Sequence, residues 1–341
     1  FRLVHGRWLG SFGWYHRDTK DMIGPAKALS ALYGAAAPRT NNAELRTRGW
    51  EFDLTWRDRI GKFNYSITGS LSDYKTVITK YYSPTGQCFG TSASNRNGNY
   101  WYEGKEYGEI WGYHVLGIAK SDDEMNNYLD QVSQSALGSK WGGGDLMYAD
   151  LNGDGKVDAG SATLSDYGDM KRIGNSTPRF AYSLTLQGDY KWFDFRIYFQ
   201  GIGKRDFLFE NCAPFYGISN EWQRNLFTDH LDYYRYAGSE LGANLDAYYG
   251  RIRIDQNNIL ASDRFLQNAA YLRLKNVDIG YTVPKSLVTK LHFTNVRIFV
   301  TGTNLLFISK KFDMWDPESL QPRGEEYPIT KAITGGIQIS L

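Results

Sequence analysis

The chain has 341 residues, with 39 Lys and Arg against 37 Asp and Glu. Charges that nearly cancel exclude a global pull toward nucleic acid or an anionic membrane surface. Mean hydropathy is −0.49, and no run of about 18 apolar residues occurs; this excludes a transmembrane helix but not a membrane barrel, whose strands are only half apolar.

In chain order, alternation predicts the strands. Residues 3–17 are the first candidate. In residues 49–56, Trp50, Phe52, Leu54 and Trp56 alternate with Glu51, Asp53 and Thr55; period two means one apolar and one polar face. In residues 63–71, Phe63, Tyr65, Ile67 and Leu71 oppose Asn64, Ser66, Thr68 and Ser70. In residues 180–187, Phe180, Tyr182, Leu184 and Leu186 oppose Ala181, Ser183, Thr185 and Gln187. In residues 193–200, Phe193, Phe195, Ile197 and Phe199 oppose Asp194, Arg196, Tyr198 and Gln200. Residues 271–283 and 295–309 are rich in strand formers but alternate less cleanly. At the end, Ile333, Ile337, Ile339 and Leu341 oppose Thr334, Gln338 and Ser340. About eight strands result, several longer than the usual five or six residues.

The connections alternate too. Residues 57–62 and 187–191 are short turns, and 284–291 is somewhat longer. Long polar segments cover about residues 21–43, 81–178, 206–262 and 311–329. A soluble sandwich has no reason to keep its long connections at one end, whereas outer-membrane barrels pair short periplasmic turns with long external loops. The expected fold class is therefore all-β, a portion of a transmembrane antiparallel β-barrel with long extracellular loops. The Trp50 face would meet lipid and the Glu51 and Asp53 face an aqueous lumen. The alternative is a soluble β-sandwich whose apolar face meets a second sheet.

Asp150, Asn152, Asp154, Gly155, Lys156 and Asp158 form the sharpest motif, D-L-N-G-D-G-K-V-D. Its side chains at loop positions one, three, five and nine, the Lys156 carbonyl at seven and Gly155 at the sharp turn suit a Ca²⁺ loop. The bidentate Glu of an EF-hand is replaced by Ser161, so Asp166 or Asp169 would supply the last carboxylate; a solvated turn is the alternative. Catalytic signals are weak. His5, His16, His114, His230 and His292 are scattered, no nucleophile elbow or phosphate loop occurs, and Asp122, Asp123 and Glu124 read as loop charges. Paired carboxylates for glycoside hydrolysis leave a surface glycosidase as the enzymatic rival. Cys88 and Cys212 lie in loop sequence; a disulfide or two free thiols both fit.

Aromatics make up 16% of the chain, with 25 Tyr. Trp8, Trp14, Trp50, Trp56 and Trp192 fit girdle positions on strands. In the long segments, Trp101, Trp111, Tyr113, Trp222, Tyr233 and Tyr248 are candidates to stack on sugars or grip peptides; the alternative is that they pack the loops into a folded mass.

Five blocks carry a resemblance: Y-E-G-K-E-Y-G-E-I-W-G-Y, G-G-G-D-L-M-Y-A-D-L-N-G-D-G-K-V-D, R-I-G-N-S-T-P-R-F, W-F-D-F-R-I-Y-F-Q-G-I-G-K-R-D and Y-L-R-L-K-N-V-D-I-G-Y-T-V-P. With N-N-A-E-L-R-T-R-G-W-E and V-T-G-T-N-L-L they span nearly the whole chain in order, and the chain resembles the C-terminal part of the SusC/RagA family of TonB-dependent outer-membrane transporters. The resemblance implies a plugged barrel of 22 strands, import of oligosaccharides or peptides driven by TonB, and a SusD-like surface lipoprotein as a lid. The plug and the earlier strands have no counterpart in these residues, so a portion of a longer polypeptide is expected. The ending I-S-L departs from the family's usual terminal aromatic.

Overall fold

A computed structural model describes the chain except for residues 26–31, 33, 36–37, 91–99, 210–211, 218–226, 310–314 and 322. The frame is a single antiparallel sheet of nine strands, the first being only the two residues Arg2–Leu3. The eight long strands are Trp8–Gly24, Thr40–Ile60, Phe63–Tyr81, Arg179–Tyr190, Phe193–Lys204, Tyr271–Thr282, Asn295–Ser309 and Ala332–Ser340. They pair in sequence order, and each predicted strand is present. The surprise is length: Thr40–Ile60 runs 21 residues, far past the eight whose alternation is clean. About ten residues cross a bilayer on a tilted strand; the remainder of this strand is polar and rises toward the long loops.

Register turns eight local alternations into one two-faced wall. Trp8, Trp56, Ile67, Leu186, Ile197, Val277, Gly302 and Ile333 lie opposite one another in a row that crosses every long strand. The neighbouring face carries an all-polar row, Arg57, Ser66, Gln187, Arg196, Asp278, Thr301 and Thr334. Among the described residues no second sheet packs on the apolar face: Ile279, Val300, Ile333 and Ile337 are between 52% and 75% exposed. A sandwich would bury them at several kcal/mol in total, so the sandwich alternative fails. Trp14 stands opposite Trp50 toward the long loops, while Tyr190, Trp192 and Phe193 cluster at a short turn. Aromatics thus flank the aliphatic band at both ends, as in a membrane girdle.

The turns sit at one end. Ile60 and Phe63 close across Gly61, whose φ of +62° suits a residue without Cβ. Tyr190 and Phe193 close across Lys191 and Trp192. A short helix, Lys285–Val288, fills the third turn. All longer connections lie at the other end, and there the hydrophobic core is found. Its buried members, among them Phe89, Trp111, Tyr113, Tyr148, Phe209 and Phe265, come from the loops and not from the wall. The loops carry elements of their own: Glu109–Gly112 pairs Lys171–Asn175, Val115–Ile118 pairs Leu146–Tyr148, and Asp122–Leu129 is a helix. The acidic run at 122–124 is therefore not loop charge. Ser121 Oγ accepts the Glu124 amide at 3.2 Å and Glu124 Oε2 accepts the Lys120 amide at 2.6 Å; three carboxylates sit in the first turn, where the helix dipole favours them.

The wall makes a direct prediction. Leu186→Lys, in the middle of the apolar row, should cost about 2–4 kcal/mol of folding free energy in a bilayer. Thr185→Lys, one residue away on the polar face, should cost far less. Equilibrium refolding of the protein into lipid vesicles, followed by its heat-dependent gel shift, compares the two.

Candidate functional site

The external end is built from two long segments stitched together. Tyr113 N–H donates to the Ala261 carbonyl at 2.9 Å and Asp263 N–H to the Tyr113 carbonyl at 3.0 Å. Tyr148 Oη donates to the Asn257 carbonyl at 2.7 Å and Tyr234 Oη to the Lys120 carbonyl at 2.8 Å. The centre of the seam is Asp145, fully buried. Its carboxylate accepts Arg251 Nε at 2.7 Å, Arg253 Nη1 at 2.8 Å, Asn258 Nδ2 at 2.9 Å and the Gly142 amide at 2.9 Å. Every lone pair of a buried charge is thus used, the condition for such a group to be tolerated. Sequence reading missed this cluster. Its parts lie more than 100 residues apart, and lone Asp and Arg residues in loops carry no local signal.

Against that frame the aromatic candidates separate. Trp111 and Tyr113 are 4% and 1% exposed. Trp111 packs on Phe89 at 5.3 Å between ring centroids, and Tyr113 on Tyr148 at 5.6 Å. Both belong to the loop core. Tyr248 is half-buried, with its hydroxyl between the Arg264 carbonyl at 3.2 Å and Gln267 Nε2 at 2.9 Å. Trp101 is half-buried between Tyr81 and Tyr107. Tyr233 lines a recess with His230, Tyr249, Arg251 and Arg253. Trp222 lies outside the described residues. The rings that do face solvent are others: Tyr107, Tyr167, Phe227, Tyr236 and Tyr327. Composition marked the loops as aromatic but could not sort packed rings from exposed ones, because that depends on which segment covers which.

The Asp150–Asp158 motif folds as a tight loop. Asp150 Oδ1 and Oδ2 accept the amides of Gly153 at 2.6 Å and Gly155 at 2.8 Å. Asn152 Oδ1 accepts the Asp154 amide at 3.0 Å, and Asp154 Oδ1 accepts the Lys156 amide at 3.1 Å. Gly153 and Gly155 both have positive φ, at +77° and +81°, so side chains there would be strained. Of the two candidates for a closing carboxylate, Asp166 turns away to Ser161, whose amide lies at 2.8 Å. Asp169 turns in: fully buried, it accepts the Leu151 amide at 2.6 Å and the Asp158 amide at 2.8 Å. Burial pushes its carboxyl above the ordinary range, with the Asp150 charge adding to the effect. Lys156 Nζ meets Asp158 Oδ2 at 2.7 Å. Among the described residues no three His, Cys, Asp or Glu side chains stand close enough by themselves to hold a metal; the loop's remaining oxygens are those of Asn152 and the backbone.

Both cysteines are free and buried. Desolvation pushes the Cys212 thiol up to about 11 and the Cys88 thiol up as well, so neither is a nucleophile at neutral pH. The shortest imidazole–carboxylate contact at the seam is His114 Nδ1 with Asp263 Oδ2 at 2.5 Å. Burial alone would raise the Asp263 carboxyl, but hydrogen bonds from His114, the Val115 amide and Lys171 outweigh it and hold the group below the usual range.

No family model matches the chain. Its relatives by sequence include TonB-dependent receptor P3 of Formosa agariphila, 27% identical over 91% of this chain and 28% of the relative. They also include TonB-dependent receptor SusC of Bacteroides thetaiotaomicron, 23% identical over 100% of this chain and 31% of the relative. By fold, the chain is similar to the RagAB peptide transporter, with a TM-score of 0.67 at 18% identity over 98% of this chain and 33% of that one. The RagAB peptide importer in its closed-closed state gives 0.68 at 19% identity, with the same coverage. The chain spans about a third of the length of each of these proteins.

Two outcomes follow from the seam. Asp145→Ala leaves Arg251 without its carboxylate and Arg253 with Asp255 alone, and should cost about 3 kcal/mol of loop stability, read as faster proteolysis between residues 137 and 146 with the barrel's heat shift unchanged. Because the folded Asp263 carboxyl is lowered, its contribution is present above the ordinary carboxylate value of about 4 and is lost as pH falls through the folded value. Amide exchange at Tyr113 and Val115 should therefore stay slow down to about pH 4 and accelerate below it.

Proposed function

We propose that this chain, similar in sequence to TonB-dependent receptors and in fold to the RagAB transporter, is a β-barrel segment of an outer-membrane receptor of the SusC and RagA type, and that the intact receptor imports oligosaccharides or peptides across the outer membrane, driven through TonB. A SusD-like surface lipoprotein acts as its lid. One observation carries the reading: an apolar wall left bare on its outer side is joined to a loop mass with its own core on the external side only. Such a molecule needs lipid around the sheet and presents a rigid, folded surface to the outside. Capture under the lid, contact with exposed loop rings and passage through the lumen are binding and conformational steps, and none breaks a covalent bond. The exposed Tyr107, Tyr167, Phe227, Tyr236 and Tyr327 suit sugar faces and peptide side chains alike.

The Asp150 loop is proposed to hold Ca²⁺ as a structural ion. Two carboxyls in contact, Asp150 and the buried Asp169, repel one another when both are ionised, and a divalent cation relieves that repulsion. Asp150, Asn152, Asp154, Asp158 and Asp169 with the Lys156 carbonyl would hold it. Its effect would be to tie the strand at 146–148 to the segment ending at Asp169.

Native mass spectrometry of the detergent-extracted assembly tests the import reading. The expected mass is that of a receptor with a lipoprotein bound; a chain that stays soluble and monomeric without detergent overturns it. For the ion, metal content of the intact receptor should include one Ca²⁺ that Asp154→Ala and Asp150→Ala lose, with thermal stability falling on chelation in the parent only. Unchanged metal content in both variants removes the assignment.

A further inference from the structure

The apolar side of the first long strands changes character just beyond its upper tryptophans. Register carries one face without a break from Trp8 through Phe12 and Trp14 to His16, and from Trp56 through Phe52 and Trp50 to Arg48. Lys75 lies opposite Arg48 on the next strand, as Ile67 lies opposite Trp56. His16, Arg48 and Lys75 therefore form one row on the face that carries the apolar band, directly beyond Trp14 and Trp50. Asp18 and Arg46 stand opposite each other in the row above. The feature is local. On the same face of Asn295–Ser309, Leu306 and Ile308 stay apolar to the strand's end and are 48% and 53% exposed.

Depth places this row. The strand from Ile60 at its turn to Trp50 measures about 33 Å, which at a tilt of about 40° spans about 25 Å, the height of a barrel's apolar band. The one charge on that face of the stretch, Asp58, pairs with Arg7 at 3.2 Å. Trp50 thus marks the upper boundary of the hydrocarbon, and Arg48, about 7 Å of strand beyond it, stands at headgroup level.

The charges there do not cancel. Asp18 Oδ1 takes Arg46 Nε at 2.8 Å and His16 Nε2 at 3.2 Å. Glu106 pairs with Lys75, and Arg179 Nη1 approaches it at 3.7 Å. Asp73 is held by Arg179, with Nη2 at 2.6 Å. All three carboxylates are engaged by Arg46, Lys75 and Arg179, which leaves Arg48 over. It is exposed, and among the described residues no carboxylate lies within ion-pair distance of it. Like charges directly opposite on neighbouring strands repel, so an anion between Arg48 and Lys75 stabilises the pair.

We propose that Arg48 and Lys75, with Arg46 and His16 beside them, bind a phosphate group on the headgroup of an outer-leaflet lipid. The inference rests on the barrel reading above, which puts lipid against this face. A guanidinium fork and an ammonium both suit phosphate oxygens. Trp14, 63% exposed, and Trp50 lie just beneath, where the same lipid's chains begin. Cargo enters on the other side of the wall, so the row's position favours lipid over cargo.

Native mass spectrometry of the protein in a non-ionic detergent tests this, with lipid A carrying two phosphates and its dephosphorylated form as probes. The parent should retain the phosphorylated lipid, and R48Q should need about tenfold more of it for half-saturation, with a larger loss in R48Q combined with K75Q. R57Q combined with R196Q removes two exposed arginines from the lumenal face and should bind as the parent does. Unchanged binding in R48Q combined with K75Q, or an equal loss in the lumenal variant, overturns the proposal. So does equal retention of the dephosphorylated lipid, or displacement by an equal concentration of inorganic phosphate. The heat-dependent gel shift is read on the same samples. Variants that shift normally and bind unchanged sink only this inference, whereas a parent that shows no shift sinks the barrel reading with it.

Discussion

Everything in this molecule follows from the cost of leaving a backbone amide unpaired in hydrocarbon. A strand that crosses a bilayer has no water to fall back on, so each amide and carbonyl must find a neighbouring strand. The eight long strands meet that demand by pairing strictly with their sequence neighbours. Once the ladder is continuous, register is no longer free. A slip of one residue would turn Leu186 and Ile197 into the lumen and Gln187 and Arg196 into lipid. The hydrophobic effect therefore acts here as a selector of register rather than as the glue of a core.

That division explains where the core went. A wall with lipid on one side and an aqueous lumen on the other buries little of its own apolar surface against protein. The described loop residues between Tyr81 and Arg179 are ordered with no sheet of the wall beneath most of them, and chain entropy opposes this at about 1–2 kcal/mol per residue. They compensate as a small soluble domain does, by burying Phe89, Trp111, Tyr113, Tyr148 and Phe265 together. Aromatic residues serve two purposes in one chain: on strands they mark the membrane boundary, and in loops they fill a core. The same residue type at the same abundance has different work according to its neighbours.

Polar clusters then decide how the loop mass is oriented on the wall. Asp145 with Arg251 and Arg253 joins the two long segments to each other. Asp73 with Arg179 joins the strands on either side of the first long segment. Arg273 with Asp316 and Glu318 fastens the last connection to the wall. Each is a charge with little exposure, costly if its partner departs, and each bridges segments distant in sequence.

How much of this was legible beforehand divides along range. Period-two alternation, the order of short and long connections and the spacing of Asp150, Asn152, Asp154 and Gly155 are local. Residues 49–56 declare a two-faced strand wherever they are placed, and Gly155 declares a turn, because backbone geometry couples only near neighbours. The wall, its topology and the loop turn at Asp150 could therefore be read from the sequence alone. Tertiary structure alone decided that Trp111 and Tyr113 are packed while Tyr236 and Tyr327 are exposed, that Asp169 rather than Asp166 closes the Asp150 loop, and that the run at Asp122 caps a helix inside a folded loop. Burial and ion pairing are properties of whatever the fold brings alongside, and in this chain the neighbours that matter arrive from as far as 149 residues away.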